Sequence, residues 1–157
     1  RRKLEQMERT RPDVEERYER EFEKLMQVPQ ITHVTIDPGK INVFTKTLYV
    51  RTDDGKKYEM GRYRIEIFTD GGNGGVRFFN LDRQVDGYWG KGHHPHVNGN
   101  GKPCLGNIQE AIPQLLGEYQ YAVVVLVCIR YLESVNTEDS AGAQIVNWPL
   151  VEESIKS

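Results

Sequence analysis

The chain has 157 residues, with 21 Lys and Arg against 23 Asp and Glu, so it is nearly neutral. A balance this even excludes a nucleic-acid or membrane partner held by bulk charge, and two cysteines are too few for a disulfide scaffold. The longest apolar run, Tyr121 to Ile129, is about half a bilayer span, and no signal-peptide pattern opens the chain, so a single domain over 1–157 in a reducing, cytoplasmic setting is expected.

Residues 1–11 read as a flexible arm or a short helical turn, and the start at Arg1 in place of Met suggests a trimmed or partial chain. Thr10, with Pro12 just after it and Glu residues in the following turn, then opens a helix. Val14, Tyr18, Phe22, Leu25 and Met26 recur at spacings of four and three, an apolar stripe predicted to lie against a sheet.

After Val28-Pro29 the period changes to that of strands. Ile31 to Ile36 ends at Asp37-Pro38-Gly39, and Ile41 to Val50 ends at Asp53-Asp54-Gly55. Tyr63, Ile65 and Ile67 alternate with Arg64, Glu66 and Phe68, and Val76 to Phe79 follows the Gly71–Gly75 turn. Four such strands with short connections predict an antiparallel meander with one face on the helix. The Gly-rich turn lacks a following helix start and a Lys-Ser/Thr pair, so it reads as a hairpin tip and not as a phosphate cradle.

From Asn80 to Asn107 the chain is rich in Gly, Asn, Pro and His, and a loop of that length in a small domain is usually functional. Gln114 to Val135 is dense in aliphatic residues. The Val123-Val124-Val125 run permits a strand, but the length favours a buried helix. After Asn147-Trp148-Pro149 there is room only for a short helix.

Three of the four histidines lie with Cys104 in the run Gly92–Asn107. Cys128, between Val127 and Ile129, has the surroundings of an inert core thiol, whereas Gly and Asn on both sides of Cys104 imply backbone near solvent. Zinc is one reading of three imidazoles and a thiolate, although His93 and His94 are adjacent and no second cysteine stands at a zinc-loop interval. The other reading is a nucleophile in a loop shaped by His94-Pro95-His96. A cysteine hydrolase would need a distant His base, and His33, the remaining histidine, sits in a predicted strand.

His94-Pro95-His96 followed by Cys104-Leu105, ten residues after His94, resembles the His-Pro-Asn tripeptide and thioester-forming Cys-Leu of ubiquitin-conjugating (E2) enzymes. Tyr58-Glu59-Met60-Gly61-Arg62-Tyr63 is similar to that family's turn into its third strand. Ile112-Pro113 and Val135-Asn136-Thr137-Glu138-Asp139 resemble the start and the end of its central helix, so the similarity spans about residues 12–140. The departures are His96 where the family has Asn, no Tyr-Pro-x-x-Pro-Pro segment after the third strand, and truncation of the last two helices. These features resemble a divergent, prokaryotic-type branch, such as that in bacterial ubiquitin-like conjugation operons with antiphage roles.

The resemblance implies an α+β UBC-like fold: an N-terminal helix on a four-stranded antiparallel meander, an active-site loop and a buried central helix. It implies that Cys104 accepts a ubiquitin-like modifier from an E1-like activating enzyme as a thioester and passes it to a lysine of a target protein, with no cofactor. A thiol of ordinary pKa is only a few per cent thiolate at pH 7, and imidazolium groups at His94 and His96 are candidates to raise that fraction. The oxyanion donor in place of the family's Asn falls to His96 first and Asn107 second, with Asn98 and Asn100 also within the loop, and such a donor is worth about 3 kcal/mol. Asp139 matches the family position that orients the incoming lysine. Arg17, Arg20 and Lys24 lie on the helix face where the family meets its E1, a face that is otherwise simply solvated. The alternative is a non-catalytic binding module of the same fold, for a ubiquitin-like protein or an E1 partner.

Overall fold

The structure is a computed structural model, and it describes residues 12–88, 90–104 and 111–151. The predicted arm at 1–11, the segment containing Leu105 and Asn107, and the end of the tail lie outside these residues.

Helix α1 spans Pro12–Met26 and takes Pro12 at its first position, where the missing N–H is not needed. Leu25 is buried and Phe22 half-buried, but Tyr18 is 40% and Met26 55% exposed, so the predicted stripe is only partly covered. A charged residue shares the covered side. Glu21 is 6% exposed, and its carboxylate accepts the backbone N–H of Ala122 at 2.8 Å.

Strands β1 (Ile31–Asp37), β2 (Lys40–Thr45), β5 (Tyr63–Phe68) and β6 (Val76–Asn80) form an antiparallel sheet in the order β1-β2-β5-β6. Register places Ile41, Ile67 and Val76 in one cross-strand row and Val43, Ile65 and Phe78 in the next; all six are buried. Neighbouring side chains in such rows pack directly against each other, which makes this face the core face. Alternate residues form the opposite face, where Arg64 lies 4.6 Å over the Phe79 ring and His33 stacks on Phe44 at 4.2 Å. The sheet is therefore the predicted four-stranded antiparallel one, with α1 packed against β1 and against the later helix α3 described below.

The predicted single strand over 41–50 breaks after Thr45. The Thr45 hydroxyl accepts the Tyr63 N–H at 3.0 Å, and Lys46 N–H bonds back to Gln30, so the chain leaves the ladder there. Leu48–Arg51 is a separate strand, β3, that pairs with β4 (Lys57–Gly61). The far end of the chain adds to this hairpin, Glu59 N–H donating to Pro149 and Val151 N–H to Lys57.

The stretch predicted as one long loop holds a two-stranded ribbon, β7 (Val85–Gly87) with β8 (Gly90–Gly92). Gly87 pairs with Gly90 across a two-residue connection, short enough for local hydrogen bonding to close it.

The single helix predicted over 114–135 is two helices, α2 (Ala111–Gly117) and α3 (Tyr121–Leu132). Tyr119 adopts a left-handed φ of 59° between them. Gln120 N–H returns to Leu115 O at 2.9 Å and Tyr119 N–H to Leu116 O at 3.0 Å, the bond pair of a Schellman terminus with Tyr where glycine is usual. Helix α2 comes so close to the turn before β6 that a Cβ on Gly75 would stand 2.8 Å from Ile112, so this turn is a packing surface as well as a hairpin tip.

The valine run is helical, and Tyr121, Ala122, Val124, Val125, Cys128, Ile129 and Leu132 bury one side of α3 in the same core as the inner sheet face. A 3-10 turn over Gly142–Asn147 and the buried Trp148 close that end of the core. No helix among the described residues is long and apolar enough to cross a membrane.

Candidate active site

Between the end of β8 and Cys104 the backbone is held by side chains that bond to main-chain groups. His93 is buried; its Nδ1 accepts the Asn80 N–H at 2.9 Å and its Nε2 lies 3.1 Å from Gly99 O. His94 repeats the pattern, with Nδ1 accepting the His96 N–H at 3.1 Å and Nε2 facing Leu132 O at 3.1 Å. A carbonyl oxygen can only accept, so each ring carries its proton on Nε2 and is neutral. Burial pushes both below the usual imidazole range, and His94, with His96 beside it as the lesser cause, falls to about 3.

An imidazole held neutral in this way supplies no positive charge to a thiolate, so His94 is a brace and not the imidazolium expected from the sequence. Neither His93 nor His94 has a ring lone pair left for a metal ion.

The next turn is built by asparagines. Asn98 Oδ1 accepts the N–H groups of Asn100 and Lys102 at 3.1 and 3.2 Å, and Asn100 Oδ1 accepts Lys102 N–H at 3.0 Å. These carboxamide oxygens shape the loop, as asparagine does in Asx turns. The turn docks on β6: Phe78 N–H donates to Gly101 O at 2.9 Å, and Arg77 Nη1 reaches Asn100 O at 3.1 Å. Gly101 has φ +85°, and a Cβ there would lie 2.7 Å from the Phe79 ring.

Cys104 emerges from this frame exposed, whereas Cys128 is fully buried and its thiol is pushed far up by burial. The Cys104 N–H donates to His96 O at 2.9 Å. Thus His96 and Cys104 are joined through their backbones.

Tyr131, on the last turn of α3, completes the frame. Its hydroxyl lies 2.8 Å from Cys104 O and 3.0 Å from His96 O, and its ring stacks on Phe78 and His94 with centroids 5.6 and 5.8 Å away. Burial raises its pKa well beyond that of a free phenol, so the hydroxyl remains a donor. Sequence reading missed this residue; the available signal was a phenol beside Arg130 at the end of an apolar run.

His96 is half-buried, and its Nε2 lies 3.5 Å from the Asn136 N–H, a long contact. Burial lowers the pKa of this imidazole, and the Asp139 carboxylate acts in the opposite direction, which places the two groups within electrostatic reach. Asp139 is exposed; its Oδ1 accepts the Gly142 N–H and so opens the 3-10 turn, the local role that helix-terminal aspartates commonly have. Cys104 and His96 therefore meet at Tyr131 through their carbonyls, Asp139 acts on His96 and Tyr131 through its charge, and His94 turns inward. Asn107 lies outside the described residues. Arg20 and Lys24 are exposed on α1, with Lys24 paired to Glu21 at 3.1 Å. Comparison with protein-family models, with curated proteins and with solved structures finds no match to this chain.

Proposed function

We propose that the chain is a UBC-like conjugating enzyme that carries a ubiquitin-like modifier on Cys104. The observation that supports this reading most directly is an exposed thiol on a loop whose backbone is crosslinked at His96 and bolted to α3. A nucleophile that must meet two large partners in turn has to be accessible from outside and yet fixed in position.

In the first step the Cys104 thiolate attacks the carbonyl of the modifier–E1 thioester. A new C–S bond forms, the E1 cysteine leaves as its thiolate, and the proton originally on Cys104 passes to solvent. In the second step a neutral lysine amine attacks the Cys104 thioester. The C–N bond forms, the C–S bond breaks, and the surplus ammonium proton leaves through a nearby base. Asp139 is the group assigned to receive or orient that amine. His96 is assigned to the oxyanion: with Nε2 facing the Asn136 N–H at 3.5 Å, Nδ1 is the ring nitrogen left to donate. His94 serves as the brace of the loop. A role in prokaryotic ubiquitin-like conjugation, including antiphage defence, belongs to the same proposal.

The test is incubation with an E1-like enzyme, ATP and a ubiquitin-like modifier, followed by electrophoresis with and without thiol reductant. An adduct that reductant removes is expected, and Cys104→Ala should abolish it. A reductant-sensitive adduct that survives in Cys104→Ala would show that the nucleophile is elsewhere.

A further inference from the structure

We propose that Tyr131 is the positioning residue of this site: its hydroxyl anchors the loop that carries Cys104. This deepens the conjugating-enzyme reading and rests on it for the catalytic consequence, although the anchoring itself can be tested without it.

His96 O and Cys104 O both accept from one donor, the first in a half-buried and the second in an exposed contact. His96 O receives the Cys104 N–H at 2.9 Å and shares the Tyr131 proton at 3.0 Å; Cys104 O receives the same proton at 2.8 Å. One phenol thus clamps the two chain segments that flank the thiol. The His96 ring is turned elsewhere, its Nε2 facing the Asn136 N–H at 3.5 Å.

The phenol is itself fixed. It projects from the last turn of α3, and its ring lies between Phe78 on β6 and His94 on the loop. One residue further on, Leu132 O takes the Nε2–H of His94. The same helical turn therefore holds the loop at His94, at His96 and at Cys104, and the chain continues from it to Asn136 and Asp139. The distance from the thiol to the groups assigned to the oxyanion and the amine is set through Tyr131.

The clamp also differs from the histidine braces in its response to pH. Burial keeps the phenol protonated, whereas each imidazole loses its acceptor nitrogen on protonation.

Tyr131→Phe preserves the stacked ring and removes only the hydroxyl. In this variant, amide hydrogen exchange followed by NMR is expected to be at least tenfold faster at Cys104, with core amides such as Ile65 and Val125 unchanged. In single-turnover assays, loading with modifier is expected to persist, and discharge of the thioester to free lysine to fall about tenfold in maximal rate without a change in half-saturating lysine. Unchanged exchange at Cys104 overturns the proposal, and so does faster exchange combined with wild-type discharge. Failure of the wild-type protein to load overturns the conjugating-enzyme reading instead, and the exchange measurement then still decides whether Tyr131 anchors the loop.

Discussion

His94 and Leu132 are joined by a hydrogen bond of 3.1 Å from the imidazole Nε2–H to the backbone carbonyl, so the last turn of α3 and the loop that presents Cys104 form one unit. The bond requires a neutral ring, because the same imidazole accepts the His96 N–H at Nδ1. Its folded-state pKa of about 3 lies below the ordinary value of 6.5, with burial as the main cause. An unfolded chain therefore binds the proton more readily. The stability contributed by His94 is present in full above about pH 6.5 and is lost as pH falls toward 3. About 2 kcal/mol should disappear between pH 8 and pH 5 from this residue. Urea denaturation at the two pH values measures the loss. His94→Phe should be less stable at pH 8 and should show a flatter pH dependence; an unchanged slope would remove His94 as its source.

The N-terminus of α3 is capped from another helix. Gln120, at the cap position, makes no side-chain cap, and Glu21 of α1 accepts the Ala122 N–H in its place. A buried carboxylate at the start of a helix combines a hydrogen bond with the helix dipole. Glu21→Ala is expected to lower stability by about 2 kcal/mol, and Glu21→Gln, which keeps an acceptor oxygen, by less. Its ion pair with Lys24, whose side chain is 62% exposed, adds little, so Lys24→Ala should stay within about 0.5 kcal/mol of wild type. Equal losses for Glu21→Ala and Lys24→Ala in chemical denaturation would contradict the capping role.

Gly101 combines a left-handed backbone with direct contact on the Phe79 ring. Gly101→Ala should cost roughly 2–4 kcal/mol, the sum of a positive φ for a residue with Cβ and displacement of the ring. The change should be felt at the loop: exchange of the Phe78 amide, which donates to Gly101 O, is expected to accelerate. Wild-type stability and exchange in this variant would mean that the turn does not depend on its contact with β6.

The two cysteines should behave oppositely. An aromatic disulfide reagent is expected to modify one thiol rapidly in the native protein and a second only after denaturation, since Cys104 is exposed and Cys128 fully buried. Cys104→Ala should remove the fast reaction. Two fast thiols in native wild-type protein, or a fast one in Cys104→Ala, would place the accessible sulfur elsewhere.

The four strands of the main sheet and the N-terminal helix were legible in the sequence because their signals are local. Tyr63, Ile65 and Ile67 alternate toward one face whatever lies opposite, and Pro12 starts a helix from its own covalent geometry. The break after Thr45 was not legible, since nothing in that residue's surroundings says that its hydroxyl will accept the Tyr63 N–H, 18 residues away. The division of the predicted 114–135 helix at Tyr119 was hidden for a related reason. A left-handed tyrosine is locally unfavourable, and here its ring meets those of Tyr18 and Tyr121 edge-on.

The same boundary runs through the candidate site. Sequence alone determined that a cysteine among glycines and asparagines follows His94-Pro95-His96 at a set interval, because spacing along a chain needs no third dimension. Only the tertiary structure decided what each ring does. The bonds that make His94 a brace, Tyr131 a clamp and Glu21 a cap span 38, 27 and 101 residues, and their energies depend on burial that the assembled core creates.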